Sequence, residues 1–368
     1  MTETTVSCAN GEEQVNGESP GKATTQKKSA LVIRYGALGD MIQTTCLFPY
    51  LTAAGYEITL NCDERGIQII EHNPHIKYIM PHKAHHIPLE GLHEYWNKIS
   101  QPYDYCAKLS GTVVEGQLLF TSNQHMWYAG ERHRRRLAGR WNYMERTIEV
   151  AGFTPIPPVR GELYFTKHER EWAKRLIKRH FRRKYVIIWA WTGSAVHKVY
   201  AYYWNVMEHL LNKWDDLIII TTGDEWCEQL EINHPQILHT SGRWQFRQAM
   251  SIIPYVDLVV GPETGMLNAA GCFSTPKICM LSHSNKTNLT KHWENDYSFQ
   301  IPCECSPCHR LFKYTGGATF GSGKSLDDYD FCTIGSLGTC ICMEATPPEM
   351  LIAKIEQVRE IHGNTRKG

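Results

Sequence analysis

Residues 30–40, Ala30-Leu31-Val32-Ile33-Arg34-Tyr35-Gly36-Ala37-Leu38-Gly39-Asp40, decide the fold. The apolar run from Ala30 to Ile33 is bounded by turn residues and suits a strand buried on both faces, as in a parallel sheet. Two glycines punctuate the turn that follows. Met41, Thr44, Leu47, Phe48 and Leu51 then recur at helical spacing. Strand, glycine turn and helix open an α/β sheet. The alternation continues downstream, with strands predicted at 57–61, 76–79 and 103–109 and a helix at 66–71.

Pro155, Pro157 and Pro158 then break the pattern and mark a linker. Beyond them the same grammar restarts. Strands are predicted at 185–190, 217–221, 258–261 and 277–281, with helices at 168–180, 204–213, 245–252 and 266–271. Residues 1–27 contain almost no apolar side chains and cannot offset their ordering entropy, so they read as a disordered tail. The expected organisation is therefore a tail at 1–27, a first Rossmann-like domain at 28–158 and a second at 159–347. A last helix within 348–368 is expected to pack back on the first domain. Two doubly wound halves place a ligand cleft at the carboxyl ends of their strands.

Bulk properties agree with two domains, since 368 residues exceed what one core usually supports. A formal charge of +1 gives no global attraction to a polyanion, so such a partner needs a local basic patch. The 13 cysteines are an odd number in a large chain with no secretory leader and no apolar span. That predicts a cytoplasmic protein with mostly free thiols. A peripheral membrane contact stays compatible with it.

Three turns could carry chemistry. In the first, Asp40 opens a helix after Gly36 and Gly39, placed either to accept a proton from a hydroxyl or simply to cap the helix. The turn is not G-x-G-x-x-G, which disfavours a dinucleotide oxidoreductase. In the second, Gly261-Pro262-Glu263-Thr264-Gly265-Met266-Leu267-Asn268 offers amides and a hydroxyl at a helix start, suited to phosphate or to a structural turn. In the third, Thr192-Gly193-Ser194 and Lys198 follow a strand and suit a diphosphate.

The order and spacing of these pieces resemble glycosyltransferase family 9, the family of the ADP-heptose:lipopolysaccharide heptosyltransferases, over most of residues 29–358. The resemblance rests on Arg34, Gly39 and Asp40, on Lys198 to Trp204, and on Glu263-Thr264-Gly265. It also includes Tyr103-Asp104, Asn142-Tyr143-Met144-Glu145-Arg146 and Cys305-Ser306-Pro307-Cys308. It implies a GT-B fold of two facing Rossmann-like domains with an interdomain cleft. The implied activity is an inverting glycosyltransferase that uses a nucleoside-diphosphate sugar and a saccharide or lipopolysaccharide-like acceptor. Asp40 would be the general base and Lys198 would neutralise the leaving diphosphate. Thr264 and Gly265 would hold phosphate oxygens and Glu263 would face the donor sugar, with Gly39, Thr192, Ser194 and Asn268 completing the donor site. No cofactor or metal is then required.

Two departures loosen the choice of heptose: the family usually has Asp where Glu263 stands and His where Asn268 stands. They motivate a catalytically silent sugar-nucleotide-binding protein as one alternative. The run Arg132-His133-Arg134-Arg135-Arg136 with Arg140 motivates another, transfer to modified nucleic acid or protein, although no nucleic-acid module is present. Cys303, Cys305, Cys308, Cys332, Cys340 and Cys342 have spacings compatible with structural zinc or with free thiols. His82, His85 and His86 read as solvated histidines.

Overall fold

The computed structural model describes residues 27–83, 87, 91–109, 140–193, 198–308 and 334–363. The first lobe runs β1 (Lys28–Arg34), α1 (Leu38–Thr44), α2 (Phe48–Ala53), β2 (Tyr56–Asp63), α3 (Ile67–Ile70), β3 (Ile76–His82), α4 (Leu92–Ser100), β4 (Tyr105–Lys108) and α5 (Tyr143–Val150). Its strands are all parallel, in the order β3-β2-β1-β4. Ile33 of β1 stands beside Asn61 on one side and Lys108 on the other.

The second lobe runs α6 (Lys167–Arg175), β5 (Tyr185–Ala190), α7 (Tyr203–Lys213), β6 (Leu217–Thr222), β7 (Ile237–His239), α8 (Phe246–Ser251), β8 (Leu258–Pro262), α9 (Gly265–Ala270), β9 (Lys277–Leu281) and β10 (Phe299–Gln300). Its six parallel strands are ordered β10-β9-β8-β5-β6-β7. The chain closes with α10 (Ile341–Glu344) and α11 (Pro348–His362).

Every residue of β5 and β8 is buried, as their unbroken apolar runs require. Each fully buried Ile or Leu of these strands contributes roughly 1.5–3 kcal/mol relative to exposure. The strand orders reverse direction at β1 in one sheet and between β5 and β8 in the other. Open α/β sheets bind ligands at such reversals, beyond the strands' carboxyl ends. The three turns singled out in the sequence follow β1, β5 and β8.

Residues 153–166 contain no helix or strand, and they are clamped between the lobes. The Glu162 amide donates to Thr45 Oγ1 at 2.7 Å. A Cβ added to Gly161 would stand 2.9 Å from the Ile42 carbonyl and 3.0 Å from Cys272 Sγ. Ile42, Met266, Leu267, Ala270 and Trp293 share one continuous core, so the lobes meet through packed apolar surface.

One expectation is corrected. α11 packs on the second lobe, not back on the first. Its Leu351, Ile355 and Val358 enter the core formed with Met207, Leu210 and Leu211 of α7. Glu356 pairs with Lys213 at 2.6 Å, and the Arg359 guanidinium lies 4.2 Å over the Trp214 ring while binding Asp216 at 2.7 Å. The sequence displays the apolar stripe of α11, but nothing local in it names the partner.

Candidate active site

The Asp40 turn is built by glycine. Gly36 has φ +122°, and a Cβ there would stand 2.8 Å from Asp40 Oδ2. Only glycine lets the carboxylate fold back over the turn. Asp40 is the third residue of α1, not its N-cap, and its Oδ2 accepts from the Ala37 amide at 3.0 Å. A carboxylate in the first turn also matches the helix dipole. Asp40 Oδ1 faces the buried Arg34 guanidinium at 3.1 Å, and Arg34 in turn donates to the Leu109 carbonyl at 3.2 Å. Capping and ion pairing thus engage one oxygen each of a carboxylate whose side chain stays 13% exposed.

Opposite it, Thr264 caps α9 by accepting from the Leu267 amide at 3.4 Å. The Gly265 and Met266 amides have no hydrogen-bond partner among the described residues. The two turns touch at their glycines. A Cβ on Gly265 would meet Leu38 Cβ at 3.3 Å and the Gly39 nitrogen at 3.6 Å, and one on Gly39 would meet Asn268 Nδ2 at 2.9 Å. Lys198 joins from the β5 turn: its stem lies over Gly193, where an added Cβ would meet Lys198 Cδ at 2.6 Å and Thr264 Cγ2 at 3.5 Å. Among the described residues no carboxylate pairs with the Lys198 ammonium. Thr192 Oγ1 donates to the Gly193 carbonyl at 3.1 Å. Ser194 lies outside the described residues, as do Cys332, Arg132 to Arg136, His85 and His86.

Two expected donor contacts have other partners. Asn268 is a bridge between lobes: its Oδ1 accepts from Gln43 Nε2 at 2.9 Å and its Nδ2 donates to the Thr264 carbonyl at 2.8 Å. Glu263 is buried, and its Oε1 accepts from the amides of Ser282, His283 and Ser284 at 2.9, 3.1 and 2.9 Å. Three backbone donors make a strong anion seat, so Glu263 shapes the loop after β9.

Tyr143 of α5 reaches that loop from the first lobe, with its phenol 2.8 Å from Ser284 Oγ. Burial pushes the Tyr143 phenol well above its ordinary value, and the charges of Glu263 and Asp40 push the same way, so it stays protonated. Gln43 shows a weak sequence signal, one helical turn after Asp40, whereas Tyr143 sits in a motif already noted. His82 is corrected too: it is buried and stacks on Tyr35, ring centroids 4.1 Å apart.

The late cysteines gather in space. Cys303 Sγ is 3.4 Å from Cys305 Sγ, Cys308 Sγ is 3.9 Å from His283 Nδ1, and Cys305 and Cys340 both act on the Cys342 thiol. The described cysteines are free thiols. Among the described residues no group of three or more His, Cys, Asp or Glu is disposed to hold a metal ion. No helix among them is long and apolar enough to cross a membrane.

Two doubly wound parallel lobes meeting at their sheet reversals define the GT-B class of fold. No family model matches the chain, and no curated protein matches it in sequence. Solved structures do. A glycosyltransferase family 9 protein from Veillonella parvula superposes with TM-score 0.60 at 16% identity, over 90% of this chain and 97% of that one. The ADP-heptose lipopolysaccharide heptosyltransferase II of E. coli gives 0.58 at 14% identity, over 90% and 98%. The iron-containing dodecameric glycosyltransferase TibC from enterotoxigenic E. coli gives 0.56 at 12%, over 91% and 77%. The heptosyltransferase WaaC of E. coli, solved with ADP, gives 0.50 at 14%, over 74% and 93%. At these identities the likeness is one of fold.

Proposed function

We propose that this chain is an inverting glycosyltransferase moving a sugar from a nucleoside diphosphate to a saccharide acceptor of lipopolysaccharide type. One observation carries the reading: the Asp40 turn of one lobe and the Thr264 turn of the other touch at their glycines, with Lys198 alongside. A carboxylate thus enters the junction from the first lobe, and an ammonium with open amides enters from the second. A heptosyltransferase of like fold is solved with ADP, which supports a nucleoside diphosphate as the donor's leaving group.

In the proposed step, Asp40 takes the proton of an acceptor hydroxyl. The oxygen bonds to the anomeric carbon as the bond from that carbon to the diphosphate breaks. The bonding electrons leave with the diphosphate, whose charge Lys198, the Thr264 hydroxyl and the Gly265 and Met266 amides receive. Diphosphate leaves without prior protonation, so no second carboxylate is needed, unlike glycoside hydrolysis. Donors aimed at developing charge are the usual source of such stabilisation. Glu263 and Asn268 act by shaping the pocket wall and holding the lobes together.

A panel of nucleoside-diphosphate sugars, read by thermal stabilisation, tests the donor site. A donor at about 100 times its Kd adds about 2.7 kcal/mol through mass action. No stabilisation by any of them sinks the proposal. Stabilisation with no turnover in the presence of acceptor leaves a silent binding protein.

A further inference from the structure

Residues 167–184 read Lys-His-Glu-Arg-Glu-Trp-Ala-Lys-Arg-Leu-Ile-Lys-Arg-His-Phe-Arg-Arg-Lys. They carry nine lysines and arginines against two glutamates, an excess of +7 in a chain whose whole formal charge is +1. The segment comprises α6, the π-helical turn Leu176–His180 that continues it, and the bend into β5. Its apolar stripe is already used. Ala173 and Ile177 are buried, and Trp172 and Leu176 pack against the same core.

All nine cations lie on the exposed side. Few of them are neutralised. Lys167 has Glu171 at 3.9 Å, Arg170 donates to the Phe165 carbonyl, and Lys184 donates to the Asp215 carbonyl at 3.2 Å. Glu169 is taken by Arg247, and Asp216, beside Asp215, is taken by Arg359. Lys174, Arg175, Lys178, Arg179, Arg182 and Arg183 have no carboxylate partner among the described residues. Lys174 with Lys178 and Arg175 with Arg179 are like-charge pairs one helical turn apart, which destabilise a helix. An external polyanion relieves that repulsion.

We propose that this ridge docks the protein on the surface of an anionic lipid bilayer, with headgroup phosphates as counter-charge. The idea rests on the proposed function to this extent: an acceptor of lipopolysaccharide type is held in a membrane. The side chains favour lipid over nucleic acid. The ridge is a helix face with no fully exposed Trp, Tyr or Phe to stack on a base; its only outward rings are His168 and His180. Trp172 packs edge-on against Trp244 with centroids 5.4 Å apart, and Phe181 is half-buried. With its apolar stripe turned inward, the ridge binds through charge and does not insert.

Co-sedimentation of the full chain with vesicles tests it. Vesicles of about 30 mol% phosphatidylglycerol in phosphatidylcholine bind the protein at about 0.1 M salt, pure phosphatidylcholine does not, and binding falls at least ~10-fold by about 0.5 M salt. The variant Lys174→Gln/Lys178→Gln/Arg179→Gln/Arg182→Gln loses at least ~10-fold in partitioning. It keeps the parent's melting temperature, donor stabilisation and transfer to a soluble acceptor. A variant with the same charge change elsewhere, Lys77→Gln/Lys83→Gln/Lys98→Gln/Lys354→Gln, partitions like the parent. Equal losses in both variants overturn the proposal. So does a parent that ignores anionic vesicles, or one that retains DNA or RNA but no vesicle. Vesicle binding by a preparation that turns over no nucleotide sugar supports the docking and overturns the transfer reading alone.

Discussion

The turn after β1 and the turn after β8 both pass from a buried strand through glycine into a short helix, yet they bring opposite chemistry to one junction. After β1 the polar side chain sits at the third helical position and folds back to the Ala37 amide, leaving an anion at the tip. After β8 the polar side chain is the N-cap itself, a neutral hydroxyl, and the next two amides stay open. One turn thus offers a proton acceptor and the other offers donors. The difference lies in which helix position carries the oxygen, and the strand–glycine–helix frame is common to both.

Asp40→Asn breaks the comparison most deeply. It keeps the hydrogen bond to the Ala37 amide but removes the anion. Transfer is expected to fall by about 10²–10⁴-fold, the usual contribution of a general base, while stabilisation by donor persists. Steady-state transfer rates beside thermal shifts check it, and an unchanged rate removes Asp40 from the mechanism.

Lys198→Met tests the opposite side. The thioether can still lie over Gly193, so packing survives and charge alone is lost. A charge-assisted hydrogen bond is worth roughly 1.5–3 kcal/mol, so donor affinity should weaken by about 10–100-fold. Calorimetric titration of donor decides it, and parent-like affinity excludes contact between Lys198 and the diphosphate.

Thr264 carries a smaller effect. Losing an N-cap costs about 0.5–2 kcal/mol, so Thr264→Ala should lower stability by that amount and Thr264→Ser should restore it. If the alanine variant loses donor affinity beyond what the serine variant recovers, the methyl group against Gly193 matters as well as the hydroxyl.

The sequence shows the frame of this junction better than its fastening. The strand from Ala30 and the two glycine turns are local signals, set by burial periodicity and by positions only glycine tolerates. Asn268 is different. In the sequence it is a residue near a turn, whereas in the fold it bonds Gln43, 225 positions earlier. Glu263 is seen at once as a carboxylate in a cleft motif, but three amides about 20 residues downstream take its oxygen. The partner of α11 escapes the sequence for the same reason: an amphipathic stripe specifies that a surface exists and leaves its address to packing.

The finest test concerns what keeps the two turns in contact. Phe246, at the start of α8, backs Gly265, with its Cζ 3.1 Å from where a Cβ would stand. Its neighbour Arg247 is buried and ties three segments together, donating to Glu169, to the Tyr164 carbonyl at 2.7 Å and to the Gln68 carbonyl of the first lobe at 2.9 Å. Burial alone would raise the Glu169 carboxyl, but hydrogen bonds from Arg247 and Thr166 outweigh it and hold the group down at about 2, against 4.5 when unperturbed. A carboxyl depressed on folding stabilises the protein above its unfolded value and loses that contribution as pH falls toward its folded value. The contribution is therefore complete above about pH 5 and fades between about pH 4.5 and pH 2. Glu169→Gln removes the titrating group. The gap in melting temperature between parent and variant should be widest near neutral pH and should narrow across that window. A gap that stays constant with pH means that Arg247 holds the lobes through its carbonyl bonds, and that Glu169 adds only its shape.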